Sequence, residues 1–304
     1  MDTIPELLRR VAENDPTLTS LNLRNNNLGG AVAVNIARAL QRNTVVMSLN
    51  LEFNSLRGNL VDTGVAFARL LETNTTLEKL NLAHNRIDTN CSAAVFNALA
   101  TNTTLKELDF SGNRVRDIGG AAVARMLETN TTLTTLNLYN ITIFDDDVRN
   151  AIATALARNT TLTHLDFSNN SVGDVAGVAF VGALETNTTL TRLNFDSNYI
   201  DETGGAAVAR MLERNTTLTS LNLQNNRLTQ KNGVDIATAL KTNTTLTSLN
   251  LKINEDIDSD TIRQIQELLS GREAPEVYDI PRIKAALPFR GVKRKSADLR
   301  LLLL

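Results

Sequence analysis

Between about residue 15 and residue 270 the apolar and polar positions repeat one template, L-x-x-L-x-L-x-x-N-x-L, each copy followed by a segment such as Ile118 to Thr129, IGGAAVARMLET. The first apolar anchor stands at Leu18, Val46, Leu77, Leu105, Leu133, Leu162, Leu190, Leu218 and Leu246; six of the eight intervals are 28 residues, the exceptions being 31 after Val46 and 29 after Leu133. A fixed period of this length marks a stacked array. In the unit Asn215 to Thr242, Leu221 and Leu223 alternate with Ser220, Asn222 and Gln224, the period of two of a short strand with one face inward. VDIATALKT then places Ile236 and Leu240 four apart beside Ala237 and Ala239, a helix whose small residues let neighbours approach. Each unit reads strand, turn, helix, turn. A single unit cannot bury both apolar faces, so the copies are expected to share one core, with the strands in a parallel sheet and the helices outside it.

Two asparagine positions recur that the core does not require. Asn26, Asn54, Asn85, Asn113, Asn170, Asn198, Asn226 and Asn254 follow the strand, where the chain turns inward and leaves backbone groups without ladder partners. An amide offers donors and an acceptor, so a column of them can satisfy those groups from unit to unit. Ile141 replaces the asparagine in the fifth unit, and Asp256 and Ile257 disturb the last, so the column is expected to break at both. Asn43, Asn74, Asn102, Asn130, Asn159, Asn187, Asn215 and Asn243 lie just past each helix and read as left-handed C-terminal caps.

Nine consecutive copies of this template resemble the leucine-rich repeat family, and the 28-residue helical unit is similar to the ribonuclease-inhibitor subclass. The resemblance implies an α/β leucine-rich repeat solenoid, a horseshoe with parallel strands on the concave face and helices on the convex face. The opening IPELLRRVAENDPTLTSLNLRNN, together with IARALQRNTVVMSLNL, resembles the first units of the tropomodulin repeat domain, a family of actin pointed-end capping proteins. Residues 1–14 are expected to form an N-terminal capping helix through Ile4, Leu7, Leu8 and Val11, ended at Asp15-Pro16. Residues 15–270 then form the repeats, and 271–304 a C-terminal cap and basic tail.

Aromatic residues are scarce and tryptophan is absent, so the core is expected to consist of Leu, Val, Ile and Ala. The formal charge of -2 gives no reason to expect nucleic acid, although residues 271–304 hold eight Lys+Arg against four Asp+Glu, leaving 23 against 29 in the body. One cysteine, Cys91, cannot form an internal disulfide, and MDTIPELLRR lacks the apolar run of a signal peptide; a cytoplasmic location is the expectation. Ten N-x-S/T matches mostly coincide with the NTT after each helix and so read as structural. No apolar stretch approaches the roughly 18 residues needed to span a bilayer.

Other departures from the period have bland and functional readings. Ser55 to Gly64 carries three extra residues expected to bulge at the rim. Asp145, Asp146 and Asp147 precede a helix, where carboxylates complement the dipole; adjacent residues do not converge on one metal ion. In the tail, Val277, Tyr278, Ile280 and Ile283 are expected to pack on the last unit. Lys293, Arg294 and Lys295 before Ser296 read either as a solvated run or as a signal or acidic-surface contact.

Catalysis by a nucleophile needs a base beside it, and the two histidines, His84 and His164, fall three units apart, roughly 14 Å at ~4.8 Å per strand. Gly119-Gly120 and Gly204-Gly205 sit at helix starts, where close packing explains them. The expectation is a monomeric, non-enzymatic protein without cofactor or metal, binding another protein through its concave face. Solvent-facing strand positions form columns. The middle one, Asn22 through Asn250, is nearly uniform Asn or Asp and reads as structural, whereas the flanking columns vary, as a recognition surface would. The candidate binding residues are Phe53, Lys79, His84, Glu107, Tyr139, His164, Arg192 and Asp196. Two narrower expectations rest on resemblance: an actin-filament regulator like tropomodulin, or a GTPase activator like the Ran GTPase-activating protein, which shares the repeat subclass.

Overall fold

The computed structural model describes residues 3–56, 60–254 and 256–272. The described strands are β1 (Ser20–Asn22), β2 (Ser48–Asn50), β3 (Lys79–Asn81), β4 (Glu107–Asp109), β5 (Thr135–Asn137), β6 (His164–Asp166), β7 (Arg192–Asn194), β8 (Ser220–Asn222) and β9 (Ser248–Asn250). They form one parallel sheet in chain order. Ten described helices alternate with them: α1 (Ile4–Ala12), α2 (Gly29–Leu40), α3 (Leu60–Thr73), α4 (Thr89–Leu99), α5 (Arg116–Thr129), α6 (Asp146–Arg158), α7 (Asp174–Leu184), α8 (Glu202–Arg214), α9 (Gln230–Leu240) and α10 (Ser259–Leu269). Register follows the repeat, with Leu108 beside Leu136, Leu136 beside Leu165 and Leu165 beside Leu193. This is the α/β leucine-rich repeat solenoid read from the sequence. Strands pack about 4.8 Å apart and helices about 8–10 Å, so the stack curves with its sheet on the inside.

Between the layers lie the strand leucines, Leu49, Leu80, Leu108, Leu136 and Leu165, all buried, together with helix residues such as Ile36, Val123, Ile152 and Leu212. The expectation of a core without aromatics needs correction. Phe67, Phe96, Phe110, Phe167, Phe180 and Phe195 are among the largest fully buried side chains, and Phe110, Phe167 and Phe195 occupy an inward strand-end position that leucine fills in other units. Phe180 bridges Phe167 and Phe195 at centroid separations of 4.8 and 5.2 Å. The glycine pairs are packing devices as read: a Cβ on Gly120 would stand 2.7 Å from Val148 Cγ1, and one on Gly205 2.4 Å from the Asn232 side chain.

The post-strand asparagines form the expected ladder. Asn54 is fully buried, donates through Nδ2 to the Leu23 and Leu51 carbonyls, and accepts on Oδ1 from the Asn26 and Leu28 amides. At Ile141 the side-chain link is lost, while the Arg116 amide donates to the Ile141 carbonyl as the Gly29 amide does to that of Asn54. The last unit does not break, contrary to expectation. Asn254 Nδ2 reaches the Leu223 and Leu251 carbonyls and Oδ1 accepts from Leu228, while Ile257 is buried one residue later than the template places its leucine.

The second asparagine series is also a ladder, and its backbone is not left-handed. Asn130, Asn159 and Asn215 are extended, with φ -74, -68 and -72. Asn130 Nδ2 donates to the carbonyls of Leu99 and Asn102 in the preceding unit, and its Oδ1 accepts from Thr132 and Leu133. Each amide thus closes the neighbouring unit's helix end. Left-handed backbone occurs instead just before the first ladder, at Asn25, Phe53, His84, Gly112, Asn140, Asn169, Ser197, Asn225 and Ile253. A third row escaped the sequence reading: the hydroxyls of Thr163, Thr191, Thr219 and Thr247 each donate to the carbonyl one unit back.

At the N-terminal end α1 is capped by Thr3 and buries Ile4, Leu7 and Val11, with Leu8 partly covered. At the other end the Arg272 guanidinium donates to the Leu240 and Leu246 carbonyls, taking the place of the next helix-end asparagine. Of the Ser55 to Gly64 insertion, residues 57–59 lie outside the described residues, as does the whole tail from 273, including the expected cap and basic cluster.

Candidate protein-binding surface

The middle strand column is structural, as its uniformity suggested. Asn137 Oδ1 accepts the Tyr139 amide, Asp166 Oδ1 the Ser168 amide and Asn222 Oδ1 the Gln224 amide, so the side chain closes the turn that ends its own strand. Two members are carboxylates. Asp109 and Asp166 are pushed above the usual carboxylate range, chiefly by burial, with the Ser111 and Ser168 hydroxyls and amides opposing. A direct link between units occurs where Asn194 Nδ2 donates to Asp166 Oδ2 at 2.9 Å.

Flanking that frame, the register brings several candidate residues together. Lys79 stands opposite Glu107 and pairs with it at 2.8 Å. His164 stands opposite Arg192. Its Nδ1 lies 2.8 Å from the Thr163 hydroxyl, and burial, then the Arg192 charge, holds its pKa below the ordinary value. Tyr139 is half-buried in the fifth unit, and Asp196 accepts from the Ser197 hydroxyl at 3.0 Å.

Phe53 and His84 do not share the strand columns. They sit one residue farther on, at the left-handed turn, where a phenylalanine is unusual because its Cβ crowds the backbone. Their rings stack at 4.5 Å with 3° between planes, Arg24 lies 5.6 Å from the Phe53 centroid, and Phe53 is 44% exposed. Gly112 follows in the same column, where a Cβ would collide with His84 Nδ1 at 2.2 Å; its lack of a side chain makes room for the ring. The sequence signal for this stack was the phase of residues 53, 84 and 112 within the repeat.

The histidines remain in units three and six, with no hydrogen-bond partner in common among the described residues. Cys91 is buried and its thiol is pushed up to about 12 by burial and the Asp88 carboxylate, far from a nucleophilic thiolate at neutral pH. Among the described residues no group of three or more His, Cys, Asp or Glu could hold a metal ion, and no helix is long and apolar enough to cross a membrane.

A family model described as TMOD/LMOD leucine-rich domain matches residues 2–136 and again 120–265. Among curated proteins the chain finds no match. Among solved structures it is similar to the leucine-rich repeat-containing protein LegL7 from Legionella pneumophila, at 18% identity over 88% of this chain and 94% of that one, TM-score 0.49. It is also similar to the tropomodulin C-terminal domain of Caenorhabditis elegans, at 14% identity over 60% and 91%, TM-score 0.40. A structure of leiomodin-1 actin-binding site 2 is 21% identical over 89% of both chains, TM-score 0.29. With the family model matched across residues 2–265, the chain belongs to the TMOD/LMOD leucine-rich domain family.

Proposed function

We propose that this chain is a non-enzymatic protein-binding scaffold that seats its partner along the concave face of units two to seven. The observation that carries this reading is the contrast between columns: a middle row of Asn and Asp committed to closing turns, flanked by positions that differ from unit to unit on the same rigid frame. Phe53, Lys79, His84, Glu107, Tyr139, His164, Arg192 and Asp196 supply the aromatic and charged groups that dominate interfaces when desolvated. Six strands span roughly 24 Å, which suits a standard interface if one rim contributes. A photo-crosslinking residue at position 139 is expected to trap the partner, and one at Arg125 on the helical side is not. The reverse pattern places the partner on the convex face.

Family membership favours a narrower reading, an actin-filament regulator. Its test is elongation at filament pointed ends: slowed growth on adding the chain supports it, and unchanged growth leaves the scaffold reading without actin as its partner.

A further inference from the structure

The fifth unit departs from the others in three linked ways. It is one residue longer than the common period, it lacks the ladder asparagine, and it places Arg149 where the fourth unit has Gly120. Between buried Ile143 and the helix cap Asp145, the added residue is Phe144, and at 66% exposure it is the most exposed large apolar side chain among the described residues. Its backbone is nevertheless fixed. Asp117 Oδ1 of the preceding unit accepts from the amides of both Phe144 and Asp145, at 2.9 and 3.0 Å, and Arg149 Nη2 donates to the Ile143 carbonyl at 2.5 Å.

Val175 and Ile118, 65% and 59% exposed, lie in the first turns of α7 and α5, so units four to six each present an apolar side chain at the edge where the helices begin. Core packing explains none of the three. Adjoining Phe144 are three exposed carboxylates: Asp145 caps α6 through Asp147 N–H, Asp146 pairs with the buried Arg149, and Asp147 is exposed.

We propose that this edge of units four to six is a docking site for a basic amphipathic helix of a partner protein. Neighbouring helices in such a stack lie about 8–10 Å apart, so apolar residues at or just before their starts recur at a spacing close to the ~10.5 Å rise of seven residues in a docked helix. An added strand fits poorly, because the Phe144 and Asp145 amides already donate to Asp117. The carboxylates beside Phe144 favour lysine or arginine where the docked helix crosses unit five. The site is separate from the concave face and does not depend on that reading.

The test uses the full chain and two 18-residue model peptides, with leucines at heptad spacing and either lysine or glutamate elsewhere, followed by fluorescence anisotropy. The lysine peptide is expected to bind, with at least tenfold loss for Phe144→Ser, Val175→Ser or Asp147→Lys and no change for the exposed Thr131→Ala. The glutamate peptide is expected to bind at least tenfold more weakly than the lysine peptide. Equal binding of the lysine peptide to wild type and Phe144→Ser, equal binding of both peptides, or no binding overturns the proposal. So does sedimentation showing a wild-type dimer that Phe144→Ser dissociates, since the occupant would then be a second copy.

Discussion

Asp109 stands in a column where seven of nine members are asparagine, and its carboxylate is buried where an amide would do the same work for the Ser111 amide. Its folded pKa is raised above the unfolded value, so the folded state holds the proton more tightly. Its contribution to stability is therefore present at low pH and lost as pH rises through the folded pKa. Asp109→Asn is expected to raise the melting temperature at pH 7 by a few degrees, with the gain shrinking as pH falls through the carboxylate range. A gain that grows at low pH would reverse the sign of this argument. Phase within the repeat was legible for this column, because each residue acts on its own turn. For Phe53 and His84 phase showed only that they share a position with Gly112; the ring contact itself depends on three units and on Gly112 leaving room for the ring.

Elements are joined by the hydrogen-bond ladders as much as by apolar packing. Asn130→Ala would leave buried backbone groups of two units without partners and is expected to cost about 3 kcal/mol in chemical unfolding, against near neutrality for the exposed Thr131→Ala. Leu136→Ala or Leu165→Ala should cost roughly 2 to 5 kcal/mol and open central units, because each side chain is fully buried between two neighbours. Strand, helix and register were legible from leucine spacing, which is dictated by burial. The helix-end asparagines were misread because left-handed caps are the common local solution, whereas here the amide closes the previous unit's helix, a contact 28 or more residues away. The buried phenylalanines were missed for a related reason: phenylalanine substitutes for leucine at an inward position without altering the pattern.

For the whole molecule, the repeat makes a rigid frame, and the proposed functions rest on the side chains that break its uniformity. Two such sets exist on different surfaces, the varied columns of the strand face and the Phe144 edge. Heating with and without a chelator is expected to give one melting temperature, since no described cluster could hold a metal ion. Binding is proposed for the strand face. It is tested most directly by quantitative capture from lysate of the native source on wild type, Tyr139→Ala, Arg192→Ala and Ser248→Ala. A protein is expected to be retained equally by wild type and Ser248→Ala and more weakly, by at least ~1 kcal/mol or about fivefold, by each of the other two, with melting temperatures unchanged. Retention unaffected by both anchor substitutions, but lost on changing the convex helices or the basic tail, would contradict it.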